Sequence, residues 1–419
     1  MYTSTEKTSD VLVIGGGAAG LMAALKAAQA GASVTLLEKN EKLGKKLYIT
    51  GKGRCNVTNV CDTEEFLRNV PRNPRFLYAA LNAFGPEDML SLLREWGCDT
   101  KVERGRRAFP VSDKASDVTK ALEKGLRALG ARVLLDTSVK VLTVSGGQIT
   151  GAMTEQGRLF PAKCVVLCTG GLSYPSTGST GDGHRMAREL GHSVTACVPS
   201  LTGLNTKETW PSELQGLSLR NVTLTAQSGK KTVYSELGEL LFTHFGISGP
   251  LALECSAHLP ENGQGTAEID LKPGLTVEQT EARLAREIAA AGKKRLQTVL
   301  ETLLPSRMAG LFPGIIGLDG QKVCCQLSAA ERRHLAEGLK ALPLTLTGLR
   351  PFTEAVITRG GVAVKEITPS TMESRRVRGL YLAGELMDVD AHTGGYNLQI
   401  AFSTGALAGQ SAAKQAQDL

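Results

Sequence analysis

The sequence predicts an α/β fold whose main domain is assembled from both ends of the chain, with a β-rich part and a small helical part inserted between them. Three observations predict it. Residues 11–38 read as strand, glycine turn, helix, strand and terminal acid. Residues from about 193 to 270 carry short alternating runs bounded by turn residues. From Gly360 the glycine-rich αβ character returns. At 419 residues the chain exceeds one ordinary core and calls for two or three domains.

Each element has a local cause. Residues 11–14 are apolar and largely β-branched, as a buried strand requires. Gly15-Gly16-Gly17-Ala18-Ala19-Gly20 follows, then an alanine-rich, helix-favouring stretch over 21–30 that Gly31 ends. Residues 33–37 form a second apolar run, closed by Glu38. This is the opening βαβ unit of a Rossmann-like dinucleotide-binding domain. In the middle, residues 219–226 and 232–236 alternate as antiparallel strands do. Residues 276–302 and 328–342 predict helices. The expected division is 1–192 with 350–419 for the nucleotide domain, 193–272 with 338–349 for the β-rich insertion, and 273–337 for the helical part.

Composition narrows the function classes. The chain is 42% hydrophobic and 21% charged, so it is globular rather than disordered. Its 48 basic against 41 acidic residues give a formal charge of +7, which excludes an acidic tail protein and leaves polyanionic partners open. Its 47 glycines exceed the usual share of about 7% and point to tight turns or close backbone approach to a ligand. Nine cysteines with no C-x-x-C pair read as reduced thiols of a cytoplasmic protein, with no metal site. The start, MYTSTEKTSD, is polar and lacks the apolar core of a signal segment. The apolar run over 11–37 is broken by glycines and Lys26, so no membrane span is expected.

The motifs carry the chemistry. In G-x-G-x-x-G at Gly15, Gly17 and Gly20, the first glycine permits the turn, the second lets backbone approach a pyrophosphate, and the third lets helix and strand pack. Ala18, Ala19 and Gly20 open the helix and aim free N–H groups at the phosphates. Glu38 stands where an acid takes ribose hydroxyls and disfavours a 2′-phosphate. Lys39 and Lys46, just beyond it, are assigned to the cofactor too. FAD and NAD both fit this unit, and the far end of the chain favours FAD. There a strand ends in Gly384 and Glu385, where an acid would meet a ribityl chain. Asp388 follows, then Gly394-Gly395-Tyr396-Asn397 opening a helix whose dipole suits the flavin carbonyl edge. Thr169, Gly170 and Gly171 begin a glycine-rich loop fit to lie on the nucleotide half. Gly53, Arg54, Cys55 and Asn56, in GKGRCNVTN, combine backbone freedom, a cation, a thiol and an amide. Cys55 is either a small buried hydrophobe or a proton donor made reactive by Arg54 and Lys52. His244, beside Gly246-Ile247-Ser248-Gly249, is either a general acid or a structural loop histidine. Cys255 is a second candidate thiol. Basic clusters at Lys42/Lys45/Lys46, Arg68/Arg72/Arg75, Arg104/Arg106/Arg107, Lys293/Lys294/Arg295 and Arg375/Arg376/Arg378 modestly favour an anionic substrate or RNA.

These segments together resemble the BaiN/YhiN-like group of FAD-binding oxidoreductases, also called aminoacetone-oxidase-like flavoproteins. The matching stretches are VIGGGAAGLMAA at 13–24, GKGRCNVTN at 51–59, FPVSDKASDV at 109–118, CTGGLSYPSTGSTGDGH at 168–184, LLFTHFGISGPLAL at 240–253, and the long run from TRGGVAVKE to QIAFSTG at 358–405. The resemblance implies a split FAD domain, a β-barrel-like part, a small helical part and a reductase activity. One branch is associated with conjugated C=C bonds of 3-oxo bile acids, another with converting a uridine of 23S ribosomal RNA to dihydrouridine. Both need hydride from reduced flavin and a proton from the opposite side, for which Cys55, His244 and Cys255 are the candidates. With no second G-x-G-x-x-G, NAD(P)H is expected to dock only transiently as reductant, or another reductant serves. The expected partner is ribosomal RNA or its precursor, with a small-molecule enone as the alternative. A flavoprotein that binds RNA without turnover and an oxygen-using amine or thiol oxidase are the competing classes.

Overall fold

The computed structural model describes residues 6–419, so residues 1–5 of the polar start, read as free of a signal core, lie outside the described residues. Contacts divide the chain into two compact units, Met1–Pro199 with Ala355–Leu419 and Ser200–Glu354.

In the first unit, β1 (Ser9–Ile14) is the central strand, and Val11, Leu12 and Val13 are wholly buried. A continuous apolar run suits a parallel strand covered on both faces. α1 (Ala18–Gln29) leads to β2 (Val34–Leu37), which pairs parallel with β1 from Val11↔Val34. β3 (Thr58–Asn59), β4 (Thr100–Glu103) and β5 (Arg107–Pro110) form a small antiparallel sheet in the order β3-β5-β4. β6 (Arg132–Leu134), β7 (Val139–Ser145), β8 (Gln148–Thr154) and β9 (Leu159–Leu167) complete the main sheet, ordered β6-β2-β1-β9-β8-β7. β9 pairs antiparallel with β8 through its first half and parallel with β1 and with Leu380–Leu382 through its second.

The far end of the chain returns through helix Tyr396–Gln417, which lies on α1. A Cβ at Gly405 or Gly409 would sit 2.2 or 2.1 Å from the carbonyl oxygen of Ala19 or Ala23. The two helices therefore meet backbone to backbone, with glycine on one and alanine on the other.

In the second unit, β10 (Leu204–Thr206), β11 (Ser218–Ser228), β12 (Lys231–Thr243), β13 (Gly246–Ser248), β14 (Gln264–Asp270) and β15 (Leu342–Leu349) close an antiparallel barrel. Their order is β10-β13-β12-β11-β14-β15, and β15 returns to β10. Leu219, Val222, Leu224 and Ala226 of β11 face inward, the alternation a barrel wall needs. Helix Ala329–Lys340 packs on β14 and β15, and helix Val277–Ala291 packs on that helix; each is opened by a capping box, Ser328 with Glu331 and Thr276 with Gln279. The α/β class with a Rossmann-type domain, a barrel and helical segments stands as the sequence predicts. One element differs. The helix expected over 276–302 breaks at Gly292, which adopts φ +54°, and resumes only at Leu296–Leu300. Glycine enters that left-handed region without a Cβ clash, so it ends the helix. Among the described residues no helix is long and apolar enough to cross a membrane, and no cluster of three His, Cys, Asp or Glu suits a metal.

Candidate functional site

The glycine turn after β1 is shaped by three different constraints. Gly15 has φ +99°, and a Cβ there would lie 2.5 Å from Cys168 O. A Cβ at Gly20 would lie 1.8 Å from Gly15 O, so the helix presses directly on the turn. At Gly17 a Cβ would meet nothing within 4 Å. Gly17 is also the N-cap of α1 and makes no side-chain cap bond. The first N–H groups of α1, at Ala18, Ala19 and Gly20, therefore begin beside open space with a positive dipole end.

Glu38 is buried at the end of β2. Its Oε2 accepts from Gly16 N at 2.6 Å, and its Oε1 accepts from Asn40 N at 2.7 Å and Asn40 Nδ2 at 2.6 Å. Lys39 Nζ donates to Thr180 Oγ1 at 2.6 Å and pairs with Asp182 Oδ2 at 2.7 Å. The acid thus steadies the turn, and the lysine ties β2 to the loop that follows β9. In that loop Gly170 (φ +74°) lies close to Ser179, the Thr169 hydroxyl packs against Gly183, and a Cβ at Gly171 would strike Thr358 Oγ1 at 2.4 Å.

Lys46 and Glu385 meet in the same unit. Lys46 Nζ lies 2.9 Å from Glu385 Oε2 and donates to Ser173 Oγ at 2.9 Å. Glu385 Oε1 accepts from Ser173 Oγ at 2.6 Å and from Thr358 N at 2.9 Å. Burial pushes the Glu385 carboxyl up, but the Lys46 ammonium and these hydrogen bonds outweigh it and hold the carboxyl below its usual range. Asn59 Nδ2 donates to Gly394 O at 3.2 Å, holding the turn that opens helix Tyr396–Gln417. Asp388 O accepts from Asn73 Nδ2 at 2.7 Å. Gly395 is the N-cap of that helix, again without a side-chain cap bond. Tyr396 is buried edge-on to Phe66, and the Asn397 amide is committed to Ala391 and His392. Those two side chains therefore build the turn, and the turn offers its backbone.

The loop Gly51 to Asn56 is strained. Lys52 and Cys55 adopt φ +57° and +60°, beside Gly53 at +86°. Arg54 pairs with Glu103 and with Asp113 and lies 4.2 Å over the Phe109 ring. Two acids thus fix the Arg54 guanidinium in place. Cys55 is wholly buried, and burial pushes its thiol up to about 12. Of the two readings of Cys55, burial supports the small enclosed hydrophobe over a thiol activated by Arg54 and Lys52. Asn56 Oδ1 is buried and accepts no hydrogen bond among the described residues. Such an atom can accept from a bound group or a water.

The other two candidates lie in the second unit. His244 is exposed at the tip of the hairpin joining β12 and β13, edge-on to Phe245 at 5.1 Å. Cys255 is wholly buried within helix Pro250–His258, and burial pushes its thiol up to about 12. It is a packing residue of that unit's core, not a surface-reachable donor. Sequence reasoning missed Gly16, Asn40, Ser173 and Thr358. Gly16 and Asn40 flank named motif residues and were findable by proximity; Ser173 and Thr358 carry no periodic signal.

The chain matches the HI0933-like protein Rossmann domain over residues 9–411. It belongs to that family. Two relatives extend the match. A 3-dehydro-bile acid delta(4,6)-reductase of Clostridium scindens is 32% identical over 409 residues, covering 96% of this chain and 98% of the relative. A ribosomal RNA dihydrouridine synthase of Haemophilus influenzae is 33% identical over 400 residues, covering 94% and 96%. The fold is also that of a 3-ketosteroid delta1-dehydrogenase from Sterolibacterium denitrificans, with a TM-score of 0.55 at 15% identity over 98% of this chain and 100% of that one. The family member described here is a flavin-type oxidoreductase.

Proposed function

We propose that the chain is an FAD-dependent reductase of a C=C bond conjugated with a carbonyl, and that its substrate is a uridine of 23S ribosomal RNA in the cytoplasm. The observation that supports the cofactor is the buried, unsatisfied Asn56 Oδ1, which suits an N–H of the flavin ring. The other residues fit the same group. The uncapped start of α1, open in front of Gly17, suits the pyrophosphate. Glu38 suits the adenosine ribose, Glu385 the ribityl chain, and the Gly394-Gly395 backbone the ring carbonyl edge. When bound, the flavin supplies the hydride. The chain's own residues position and protonate. Lys46, Ser173 and Thr358 keep Glu385 ionised and fixed, and Asn59 fixes the glycine turn. Of the three proton-donor candidates, His244 alone is exposed.

Similarity to the dihydrouridine synthase and the net charge of +7 favour the RNA substrate. Ribosomal RNA from cells lacking the gene, incubated with the reduced enzyme, is expected to gain dihydrouridine; RNA that stays unmodified would refute the assignment. The bile-acid relative supports a second reading, a small-molecule enone. Oxidation of the reduced enzyme by a 3-oxo-4-ene steroid, with none by RNA, would favour it. NAD(P)H is proposed as a transient reductant. Bleaching of the flavin band by NADH or NADPH under anaerobic mixing tests this.

A further inference from the structure

The five basic clusters of the sequence are not equivalent. Lys45 pairs with Glu41, Lys46 with Glu385 and Arg376 with Glu366. The cluster at 293–295 belongs to the second unit. The other two clusters converge on a single turn. Asn59 Nδ2 donates to Gly105 O at 3.0 Å, at the tip of the β4–β5 hairpin, and also to Gly394 O at 3.2 Å. From the other side, Asn73 Nδ2 donates to Asp388 O at 2.7 Å, His392 N to Asn69 O at 2.9 Å, and Arg72 pairs with Asp390 at 2.9 Å. Residues 388–394 are thus clamped between two basic loops.

The charges on those loops divide into paired and available. Arg106 is paired with Glu65, Arg68 with Glu64, and Glu103 with Arg54. Arg75, Arg104 and Arg107 are exposed, and none has an ion-pair partner among the described residues. Tyr78, three residues beyond Arg75, leaves 56% of its surface in solvent. A modified base must leave its stack to reach a flavin, and single-stranded RNA is held by cations on phosphates and aromatic rings under bases.

We propose that Arg75, Tyr78, Arg104 and Arg107 form a rim that grips single-stranded RNA on both sides of residues 388–394, the arginines on phosphates and Tyr78 against a base. This rests on the reading of an RNA uridine as substrate. The rim brackets the turn assigned to the flavin carbonyl edge, so the nucleotides flanking the target would lie on it. A small apolar enone would make no use of it.

The test is binding of a single-stranded ribosomal RNA fragment to the flavin-loaded protein at several salt concentrations. Wild type is compared with R104A/R107A, R75A/R104A/R107A, Y78A and, as control, K293A/K294A. Flavin content and thermal midpoint confirm that each is folded. The triple variant is expected to lose at least roughly tenfold in affinity, with a salt slope shallower by about 2, as three lost single-strand phosphate contacts require. Y78A is expected to lose roughly tenfold, with the slope unchanged. K293A/K294A is expected to match wild type. Equal affinities throughout, or no RNA binding by wild type, overturn the rim. Dihydrouridine is counted in the same samples after flavin reduction. Binding lost in the rim variants with no turnover by wild type refutes the uridine reductase and upholds the rim. Turnover by wild type with unchanged affinity in the variants does the reverse.

Discussion

Lys46 and Glu385 lie 339 positions apart and meet at 2.9 Å, with their side chains only 23% and 12% exposed. Removing one partner of such a pair strands the other charge. Lys46→Met is expected to cost on the order of 3 kcal/mol in urea unfolding, and a loss under 1 kcal/mol would show the pair to be incidental. A second buried polar group sets a pH dependence. His192 Nδ1–H donates to Glu366 Oε2 at 3.2 Å, and its Nε2 accepts from Ser374 Oγ at 2.8 Å. Burial pushes this imidazole below its ordinary 6.5, while Glu366 opposes the shift. The unfolded chain then takes up the proton first as pH falls through 6.5, so stability drops on acidification and is fully present above that value. The urea midpoint is expected to fall between about pH 7.5 and about pH 5.5, and less steeply in His192→Gln. Identical slopes would remove His192 as the cause.

At the level of elements, the three glycines of the first turn make separable predictions. Gly17→Ala places its methyl in open space. The fold is expected to survive with a change of about 1 kcal/mol at most, while the flavin-to-protein absorbance ratio collapses. Gly20→Ala drives a methyl onto Gly15 O, and Gly405→Ala onto Ala19 O. Both are expected to lower the melting temperature sharply whether or not flavin is added. A Gly17→Ala protein with full flavin content would contradict the placement of the pyrophosphate. The βαβ unit was legible because strand, turn, helix and acid are contiguous and each has its own local signature. Apart from the family resemblance, the closed barrel was legible only as alternation, since closure depends on pairing between distant strands such as β10 and β15. Gly405 and Gly409 stand one helical turn apart in the sequence, but their meaning needs α1 opposite them. Lys46 with Glu385, and Asn59 bridging Gly105 and Gly394, leave no trace in any one segment.

At the scale of the whole molecule, one domain built from both chain ends explains why the candidate cofactor residues are so widely dispersed. The turn after β1, the loop at 51–56, the loop after β9 and the turn at 394–395 belong to a single compact unit. Residue types alone did not reveal which candidates are enclosed. Cys55, Cys255 and His244 are all capable of donating a proton by residue type, and packing separates two buried thiols from an exposed imidazole. In the proposed activity this unit carries FAD, and the reduced enzyme saturates a uridine C=C bond. The most direct test is one anaerobic turnover: photoreduced holoenzyme mixed with ribosomal RNA lacking the modification, with flavin absorbance followed and dihydrouridine counted. Flavin reoxidation in step with one dihydrouridine per flavin is the expected result; flavin that stays reduced over unmodified RNA would contradict the account.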